Sequence, residues 1–341
     1  MRRAPRSARA TRPRVRSISA CMSKRAIGAA FIVVGPRIRS PAQTRPMRRW
    51  LARAAGQLLL VCATFACAPP TSTEIRVATW NVENLFNDRR DSPELAREHV
   101  ESASVYAERL TSIARALREL RADVVVLQEV ENEQVTAELA AASGTYPHHV
   151  TSRGNDPRGI DIAVLSRWPI VAVRSHANEA LSTPLSPERS FSFARDCLEV
   201  VAELELGHAA FLGVHFKSAS DSDSRLKRHA EASRVRELAR SSSETVGPVV
   251  VLGDFNDPPG STTVSTLTEV DPSGFALRSA GQTLPRAERY TAYVAGRPEL
   301  IDDQLLSPAV ELLGVEIPRA GFDQSDHWPV VSRLRVSPNA Q

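Results

Sequence analysis

The stretch Val249–Asn256 reads VVVLGDFN. A run of four apolar residues bounded by a glycine is typical of a strand that is buried on both faces of an α/β sheet. The polar residues Asp254 and Asn256 follow directly where this strand ends. In α/β sheets, ligands bind beyond the strand ends, because loops converge there on a rigid frame. The stretch therefore predicts both a fold class and the edge of the sheet at which a functional site lies.

Three other apolar runs also have polar residues at one end. They are Ile75–Trp80 before Asn81 and Glu83, Asp123–Leu127 before Gln128 and Glu129, and Trp328–Leu334 after Asp326 and His327. A carboxylate or amide next to a buried strand is held in place by the sheet. Several such oxygen-bearing side chains together predict a site for a hard divalent cation.

Strand-like runs alternate with helical runs between residues 75 and 334, which is typical of an α/β domain. Helices are predicted at Pro93–Arg121, where Val105, Leu110, Ile113, Leu117 and Leu120 recur at threes and fours, and at Ser224–Ser241. Further strands are predicted at Ile160–Leu165, Ile170–Val173, Leu198–Leu206, Ala209–Phe216, Tyr290–Val294 and Leu300–Leu306. We find no repeat and no long internal linker, so residues 74–336 are predicted to form one domain.

The net charge of +4 arises from the first 67 residues, which contain 15 of the 43 Lys and Arg residues and no Asp or Glu. The remaining 28 basic and 39 acidic residues give residues 68–341 a net charge of −11. An acidic body argues against broad electrostatic attraction to nucleic acid. It is compatible with a local groove that a metal ion and a few arginines neutralise.

The first 67 residues divide into two parts. Residues 1–46 are rich in Arg, Ser and Pro, and we interpret them as a disordered or mis-annotated extension upstream of Met47. Residues 47–67 combine three arginines with the apolar run Leu58–Ala66, which is typical of an export signal. Residues 68–73 are predicted to be a short linker.

The end of this signal, Thr64-Phe65-Ala66-Cys67, is similar to a bacterial lipoprotein processing box. Cys67 is therefore the candidate site of a lipid anchor, which would hold the protein at the cell envelope. Plain secretion, an uncleaved anchor and an organellar transit peptide are the alternatives.

Six segments occur in one order between residues 79 and 330: TWNVENLF, LQEV, HFKS, GDFNDPP, LIDDQLLS and SDHWPV. Together they resemble the endonuclease/exonuclease/phosphatase superfamily, and NVENLF with HFKS looks closest to its bacterial extracellular nucleases. The resemblance covers residues 75–334. It implies a four-layer α/β/β/α sandwich, in which two mixed sheets pack face to face with helices outside.

The resemblance also implies a metal site. Glu129 matches the metal-ligating glutamate of the family, and the further candidates are Asn81, Glu83 and Asp326. The implied cofactor is Mg²⁺, with Mn²⁺ or Ca²⁺ as alternatives, and the number of ions is open. For Glu83 the alternative interpretation is a solvated loop acid, and for Glu129 it is a salt bridge.

Two histidines carry the implied chemistry. His327 would act on the scissile phosphate, as a base or as a stabilising cation, and Asp302 would fix its tautomer. Asp303 is the alternative partner, because the segment reads Ile-Asp-Asp-Gln where the family has a single acid. His215 would protonate the leaving oxygen, and we consider Asp161 as its carboxylate partner.

Four further residues are implied to handle water and phosphate. Asp254 and Asn256 would position the attacking water and the phosphate. Arg195 would contact a substrate phosphate, although a salt bridge to Asp196 or Glu199 is the alternative. Lys217 would contact a phosphate or be solvated.

The predicted function is that of an exported, divalent-metal-dependent phosphodiester hydrolase, a nuclease that cleaves DNA or RNA without sequence specificity. The alternative is a phosphatase or phosphodiesterase acting on a phospholipid headgroup or small phosphate ester. Sphingomyelinase-like members carry an exposed aromatic hairpin, and we find none in this sequence. A binding module that lacks activity is a third interpretation, which the complete motif set disfavours. We expect a monomer with no obligate protein partner.

Overall fold

The structure is a computed structural model that describes residues 72–91, 99–218 and 221–337. The predicted extension, export signal and Cys67 lie outside the described residues, as does the first part of the predicted helix 93–121. None of the described helices is both long enough and apolar enough to cross a bilayer.

The elements lie close to the predicted ones. The strands are β1 Thr73–Leu85, β2 Val124–Val130, β3 His148–Ser152, β4 Asp161–Ser166, β5 Ile170–Ser175, β6 Cys197–Leu204, β7 Gly207–His215, β8 Val249–Asp254, β9 Arg278–Ser279, β10 Ala292–Val294, β11 Arg297–Glu299, β12 Asp302–Leu306, β13 Val310–Glu316 and β14 Val330–Val336. The helices are α1 Ala103–Leu120, α2 Glu133–Ser143, α3 Ser222–Thr245 and α4 Thr262–Thr268. Strand β1 extends five residues past the predicted end, into the first polar motif.

Two six-stranded sheets form the centre of the described chain. The first has the order β13-β14-β1-β2-β4-β3 and the second the order β5-β6-β7-β8-β12-β9. Strand β1 pairs with β2 in parallel, as β7 does with β8, and the other neighbouring strands are antiparallel. Both sheets are therefore mixed, as predicted.

Three apolar layers hold the sheets and helices together. Val77 and Val126 of the first sheet pack against Phe211 and Leu252 of the second, which joins the sheets face to face. The outer face of the first sheet is covered by α1 and α2, and that of the second by α3 and α4. Burying each such side chain contributes roughly 1.5–3 kcal/mol. The predicted four-layer α/β/β/α sandwich is thus confirmed.

Helix α1 begins with a side-chain cap and faces the first sheet. The Ser102 hydroxyl accepts a hydrogen bond from the Val105 amide, which satisfies one of the free donors of the first turn. Ile113 and Leu117 of the predicted apolar period are fully buried, whereas Val105 is exposed. Including Val105 in the buried face was wrong, because in the first turn the neighbouring Tyr106 is the residue that is buried.

One hairpin contradicts the sequence analysis. Strands β10 and β11 form a two-stranded antiparallel hairpin outside both main sheets, and Tyr293 and Val294 on it are exposed. The conclusion that the chain has no exposed aromatic hairpin was therefore wrong. The strand at Tyr290–Val294 is predicted from the sequence, but the return strand Arg297–Glu299 is three residues long and contains a proline, so it has no strand signal.

A buried histidine network makes stability depend on pH. His176 lies 2.7 Å from Glu179 Oε1 and 3.3 Å from Glu199 Oε2. Burial alone would lower the pKa of His176, but the hydrogen bonds to Glu199 and Glu179 outweigh it and raise the pKa above 6.5. The folded state thus binds this proton more tightly than the unfolded chain does.

We expect His176→Gln to destabilise the protein mainly in acid. The wild-type stabilisation is complete below pH 6.5 and is lost as pH rises through the higher folded-state pKa. Urea unfolding should show a deficit of about 1.5 kcal/mol at about pH 5.5 that shrinks by about pH 9. A deficit of equal size at both pH values would contradict the charge-based explanation.

Candidate active site

Three neighbouring strands of the second sheet place polar residues in one row. The register pairs His215 of β7 with Asp254 of β8, and Asp254 with Asp302 of β12. The three side chains are buried. Residues directly opposite one another on adjacent strands lie on the same face of a sheet, so this row is fixed by the strand pairing itself.

The row continues through direct contacts to a second histidine. His215 Nε2 lies 3.4 Å from Asp254 Oδ2. His327 Nδ1 donates a hydrogen bond of 2.7 Å to Asp302 Oδ2. Asp303, the alternative partner, instead accepts hydrogen bonds from the Ser279 hydroxyl and the Gly281 amide. The structure therefore places Asp302, and not Asp303, beside His327.

The first sheet contributes an amide and a carboxylate to the same place. Asn81 Nδ2 donates to Asp254 Oδ2 over 3.2 Å, and Glu129 Oε1 lies 3.8 Å from His215 Nε2. The other Glu129 oxygen accepts a hydrogen bond from the Asn84 amide. The site thus lies where the polar ends of strands from both sheets meet.

The segment Ser325–His327 is tied to the first motif. Ser325 Oγ donates to the Asn81 carbonyl, and the Trp80 indole N–H donates to the His327 carbonyl. The Asp326 amide donates to Glu83 Oε2 over 3.2 Å. These contacts bring the two exposed acids Glu83 and Asp326 together at the rim of the pocket.

The backbone is strained at the site. Of the six non-glycine residues with positive φ in the described chain, four lie in the polar motifs: Glu83, Asn84, Glu129 and Asn256. Such conformations cost of order 1 kcal/mol or more each and persist only where the surroundings enforce them. Their clustering here indicates that the loops are shaped for a task other than stability.

Gly253 is required by a close approach of two strands. Its φ is +149°, and a Cβ atom at this position would lie 1.9 Å from the Val214 carbonyl oxygen. Any side chain would therefore push β8 away from β7. That movement would separate Asp254 from His215, which explains the glycine in Gly253-Asp254-Phe255-Asn256.

Burial lowers the pKa of both histidines, and their charged neighbours then set the two pKa values in opposite directions. For His327, burial lowers the pKa, but the nearby Asp302 outweighs it and raises the pKa to about 10. For His215, burial and then the positive charge of Arg195 hold the pKa well below 6.5. At neutral pH His327 therefore carries a positive charge, and His215 is the neutral imidazole.

Asp254 is the carboxylate that links the two halves of the row. Burial first, and then the charge of Asp302, raise its pKa to about 7. Its Oδ1 accepts a hydrogen bond from the Asn256 amide, and Asn256 Nδ2 donates to the Phe216 carbonyl. Asn256 is thus held within the site by both its backbone and its side chain.

Arg195 and the backbone of Lys217 make hydrogen bonds at the segment that follows His215. Arg195 is buried, donates to the Phe216 carbonyl over 2.8 Å and lies 3.0 Å from Asp156, so its salt-bridge partner is neither Asp196 nor Glu199. The Lys217 amide donates to the buried Glu231. The guanidinium of Arg195 is committed to protein groups, which leaves it the role of supporting the pocket wall that it shares with Asn256.

The suggested pairing of Asp161 with His215 is wrong. Asp161 Oδ1 accepts a hydrogen bond from the Gly154 amide, and the carboxylates within 4 Å of His215 in the described chain are Asp254 and Glu129. Asp161 begins β4 in the first sheet, whereas His215 ends β7 in the second.

Sequence reasoning missed two arginines. Arg109 of α1 donates to the carbonyl oxygens of Val82, Glu83 and Asn84, which fixes the first motif from behind. Arg158 donates to Asn84 Oδ1 and pairs with Asp156. Only Arg158 had a signal, since it stands just before the predicted strand Ile160–Leu165.

The sequence also matches a family as a whole. A model described as the endonuclease/exonuclease/phosphatase family matches residues 78–327. The chain belongs to the endonuclease/exonuclease/phosphatase family. Members of this family are divalent-metal-dependent hydrolases of phosphoester bonds, so the coarse prediction of reaction class and cofactor class is confirmed.

Solved structures show the same fold. An endonuclease/exonuclease/phosphatase from Bacteroides vulgatus is 22% identical, with a TM-score of 0.53 over 78% of this chain and 100% of that chain. Truncated TDP2 from Caenorhabditis elegans is 16% identical, with a TM-score of 0.51 over 76% of this chain and 97% of that chain. The human Nocturnin catalytic domain with bound sulfate is 16% identical, with a TM-score of 0.54 over 77% and 95%. No curated protein matches the chain in sequence.

The residues present fit the divalent cation that the endonuclease/exonuclease/phosphatase family requires. Ligand atoms of Asp254, Asp302 and His327 lie within 4.8 Å of one another. Asp302 Oδ1 is buried and has no hydrogen-bond partner among the residues that the structure describes, which is costly for a carboxylate oxygen. Glu129 Oε1 lies 3.8 Å from His215 Nε2, the nitrogen that also faces Asp254, and adds a further carboxylate. This concentration of acidic oxygens needs positive charge, and a hard cation supplies it.

Proposed function

We propose that this protein is a nuclease that hydrolyses phosphodiester bonds of DNA or RNA without sequence specificity. The observation that supports it is the continuous row of His215, Asp254, Asp302 and His327 beside Glu129 and Asn81. The row offers two imidazoles in opposite charge states around a cluster of carboxylates. Hydrolysis of an anionic diester needs imidazoles that transfer protons or supply positive charge, and carboxylates that hold a divalent metal ion.

The proposed roles follow from the contacts. Asp302 accepts the Nδ1 proton of His327, so His327 presents its other nitrogen and a positive charge to the phosphate. Asp254 and Asn256 orient the attacking water, and Asn81 holds Asp254 in position. A divalent ion held by Glu129, with Asp254, Asp302, Glu83 or Asp326 as further oxygen ligands, would supply charge neutralisation at the phosphate.

The contacts of His215 support a role in proton transfer to or from an oxygen of the diester. As a neutral imidazole it carries one proton, and its Nε2 faces Asp254 and Glu129. We propose that it exchanges a hydrogen bond or proton with the oxygen that leaves or attacks on the side opposite His327. Arg158 and Lys217 would add positive charge for the substrate.

The purified chain tests this directly. With Mg²⁺ and supercoiled plasmid we expect nicked circles, and with EDTA we expect none. RNA, sphingomyelin and small phosphate esters should be assayed in parallel, with Mn²⁺ and Ca²⁺ in place of Mg²⁺. Turnover of a lipid or small ester without any cleavage of DNA or RNA would refute the nuclease proposal in favour of the alternative phosphodiesterase.

We also propose that the protein is exported, and that Cys67 carries a lipid anchor. The support is the sequence pattern of residues 47–67 alone. Fractionation of cells that express the wild type and Cys67→Ser tests it. The wild type should sediment with membranes and the variant should not; wild-type protein in the cytoplasm would contradict export.

A further inference from the structure

The exposed hairpin β10–β11 is attached directly to the catalytic segment. Ala292 forms an antiparallel bridge with His327, and the Trp328 amide donates to the Thr291 carbonyl over 2.8 Å. The hydroxyl of Thr291 in turn accepts a hydrogen bond from the Asp302 amide. The hairpin is thus bound to both members of the His327–Asp302 pair.

Three aromatic residues gather at this junction. The ring centroids of Tyr290, Tyr293 and Trp328 lie 5.6–5.8 Å from one another. We call these three residues the aromatic cluster. Trp328 follows His327 and Tyr293 follows Ala292, the two residues of the bridge. Neighbouring residues of an extended segment point to opposite sides, so the aromatic cluster lies next to His327 in the chain but on the other face of this bridge.

The cluster leaves a ring available. Tyr293 is 58% exposed, and its ring plane lies at 52° to the ring of Tyr290 and at 74° to the ring of Trp328. Neither neighbour therefore stacks parallel on it, as an offset-stacked pair would. An exposed tyrosine that is supported from the side but not covered is a suitable surface for a flat ring.

A buttressing cation gives the cluster rigidity and charge. The Arg319 guanidinium lies 3.8 Å from the Tyr290 ring centroid and 5.6 Å from that of Trp328. Its Nη2 donates to the carbonyls of Glu288 and Tyr290. Arg297 on β11 is exposed beside Val294. Positive charge next to an aromatic surface suits a ligand that combines flat rings with phosphates.

We propose that the aromatic cluster is a stacking subsite for a nucleobase one or two nucleotides away from the scissile phosphate. This rests on the proposed nuclease function. Stacking on an aromatic face tolerates every base, because every base has a π-face, so the subsite would add affinity without sequence specificity. It would hold the strand beside His327 and draw substrates with bases over small phosphate esters.

The composition of the hairpin favours a nucleobase over a lipid surface. Its turn is Ala295-Gly296, followed by Arg297 and Pro298, and it carries no large apolar residue at the tip. On the hairpin, the exposed large hydrophobic residues are Tyr293 and Val294.

Binding without cleavage tests the subsite. A labelled single-stranded oligonucleotide is titrated in EDTA and followed by fluorescence anisotropy. We expect Tyr293→Ala to weaken binding about tenfold, the scale of one lost base stack. Tyr293→Phe, which keeps the ring, and Val173→Ala, which alters an exposed valine on the far edge strand β5, should stay within about twofold of wild type.

Substrates that lack a base locate the effect. A series of oligonucleotides with one abasic residue at successive positions is cleaved with Mg²⁺. At one position, the abasic substitution should lower the kcat/KM of the wild type about tenfold, through a higher KM. The kcat/KM of Tyr293→Ala should be the same for the normal oligonucleotide and for the one that is abasic at this position. If the wild type cleaves the normal oligonucleotide but Tyr293→Ala has the same kcat/KM as the wild type on every oligonucleotide of the series, the stacking proposal is wrong and the nuclease proposal stands.

Two other outcomes are equally decisive. If the wild type neither binds nor cleaves any oligonucleotide, the proposed function fails and the subsite falls with it. If Tyr293→Ala binds oligonucleotides normally but no longer sediments with phosphatidylcholine–phosphatidylglycerol vesicles that retain the wild type, the cluster contacts membranes and the stacking proposal is wrong.

Discussion

His327→Ala is expected to lower turnover at least about 100-fold without unfolding the protein. The His327 imidazole donates a hydrogen bond to Asp302, and this carboxylate raises the pKa of His327 to about 10. The substitution therefore removes a positive charge that faces the phosphate. It also leaves Asp302 buried with neither oxygen paired through a side chain. A metal ion bound there can offset that cost, so the loss should fall on kcat more than on stability.

Single-turnover cleavage of plasmid DNA at saturating Mg²⁺ measures the effect, and thermal unfolding verifies the fold. His99→Ala is a matched control, because His99 is an exposed histidine outside the pocket. Asp302→Asn should give an intermediate loss, since an amide still holds the ring but supplies no charge. Full activity of His327→Ala would show that the assigned role is wrong.

His215→Ala should also lower turnover at least about 100-fold, for a different reason. His215 is the neutral histidine of the pair and joins the two sheets through Asp254 and Glu129. Its removal brings two carboxylates together without the imidazole between them. We therefore expect a higher Mg²⁺ requirement in addition to slower turnover.

The control for His215 lies on the same strand. His208 is exposed near the start of β7, seven residues away, and His208→Ala should leave activity unchanged. The Mg²⁺ concentration that gives half-maximal cleavage should rise in His215→Ala and stay constant in His208→Ala. Wild-type turnover by His215→Ala at high Mg²⁺ would restrict its role to organising the carboxylates.

The order of the motifs was enough to predict the fold, because each polar motif adjoins a strand with a strong apolar signal. Val249–Leu252 and Ile75–Trp80 are buried, and the residues after them meet at one site. The wrong predictions concern the exposure of single residues. Whether Val105 and the β10–β11 hairpin are buried depends on which other segments of the chain pack against them. Single-residue exposure is a tertiary property that periodicity reports poorly.

The sequence by itself determined the strand runs, the polar residues at their ends and therefore the family. Only the tertiary structure decided that Asp302, and not Asp303, pairs with His327. It also decided that Asp161 does not pair with His215, and that Arg109 supports the first motif. The reason is that strand register and helix packing choose between neighbours one residue apart, and these are set by contacts between segments far apart in the chain.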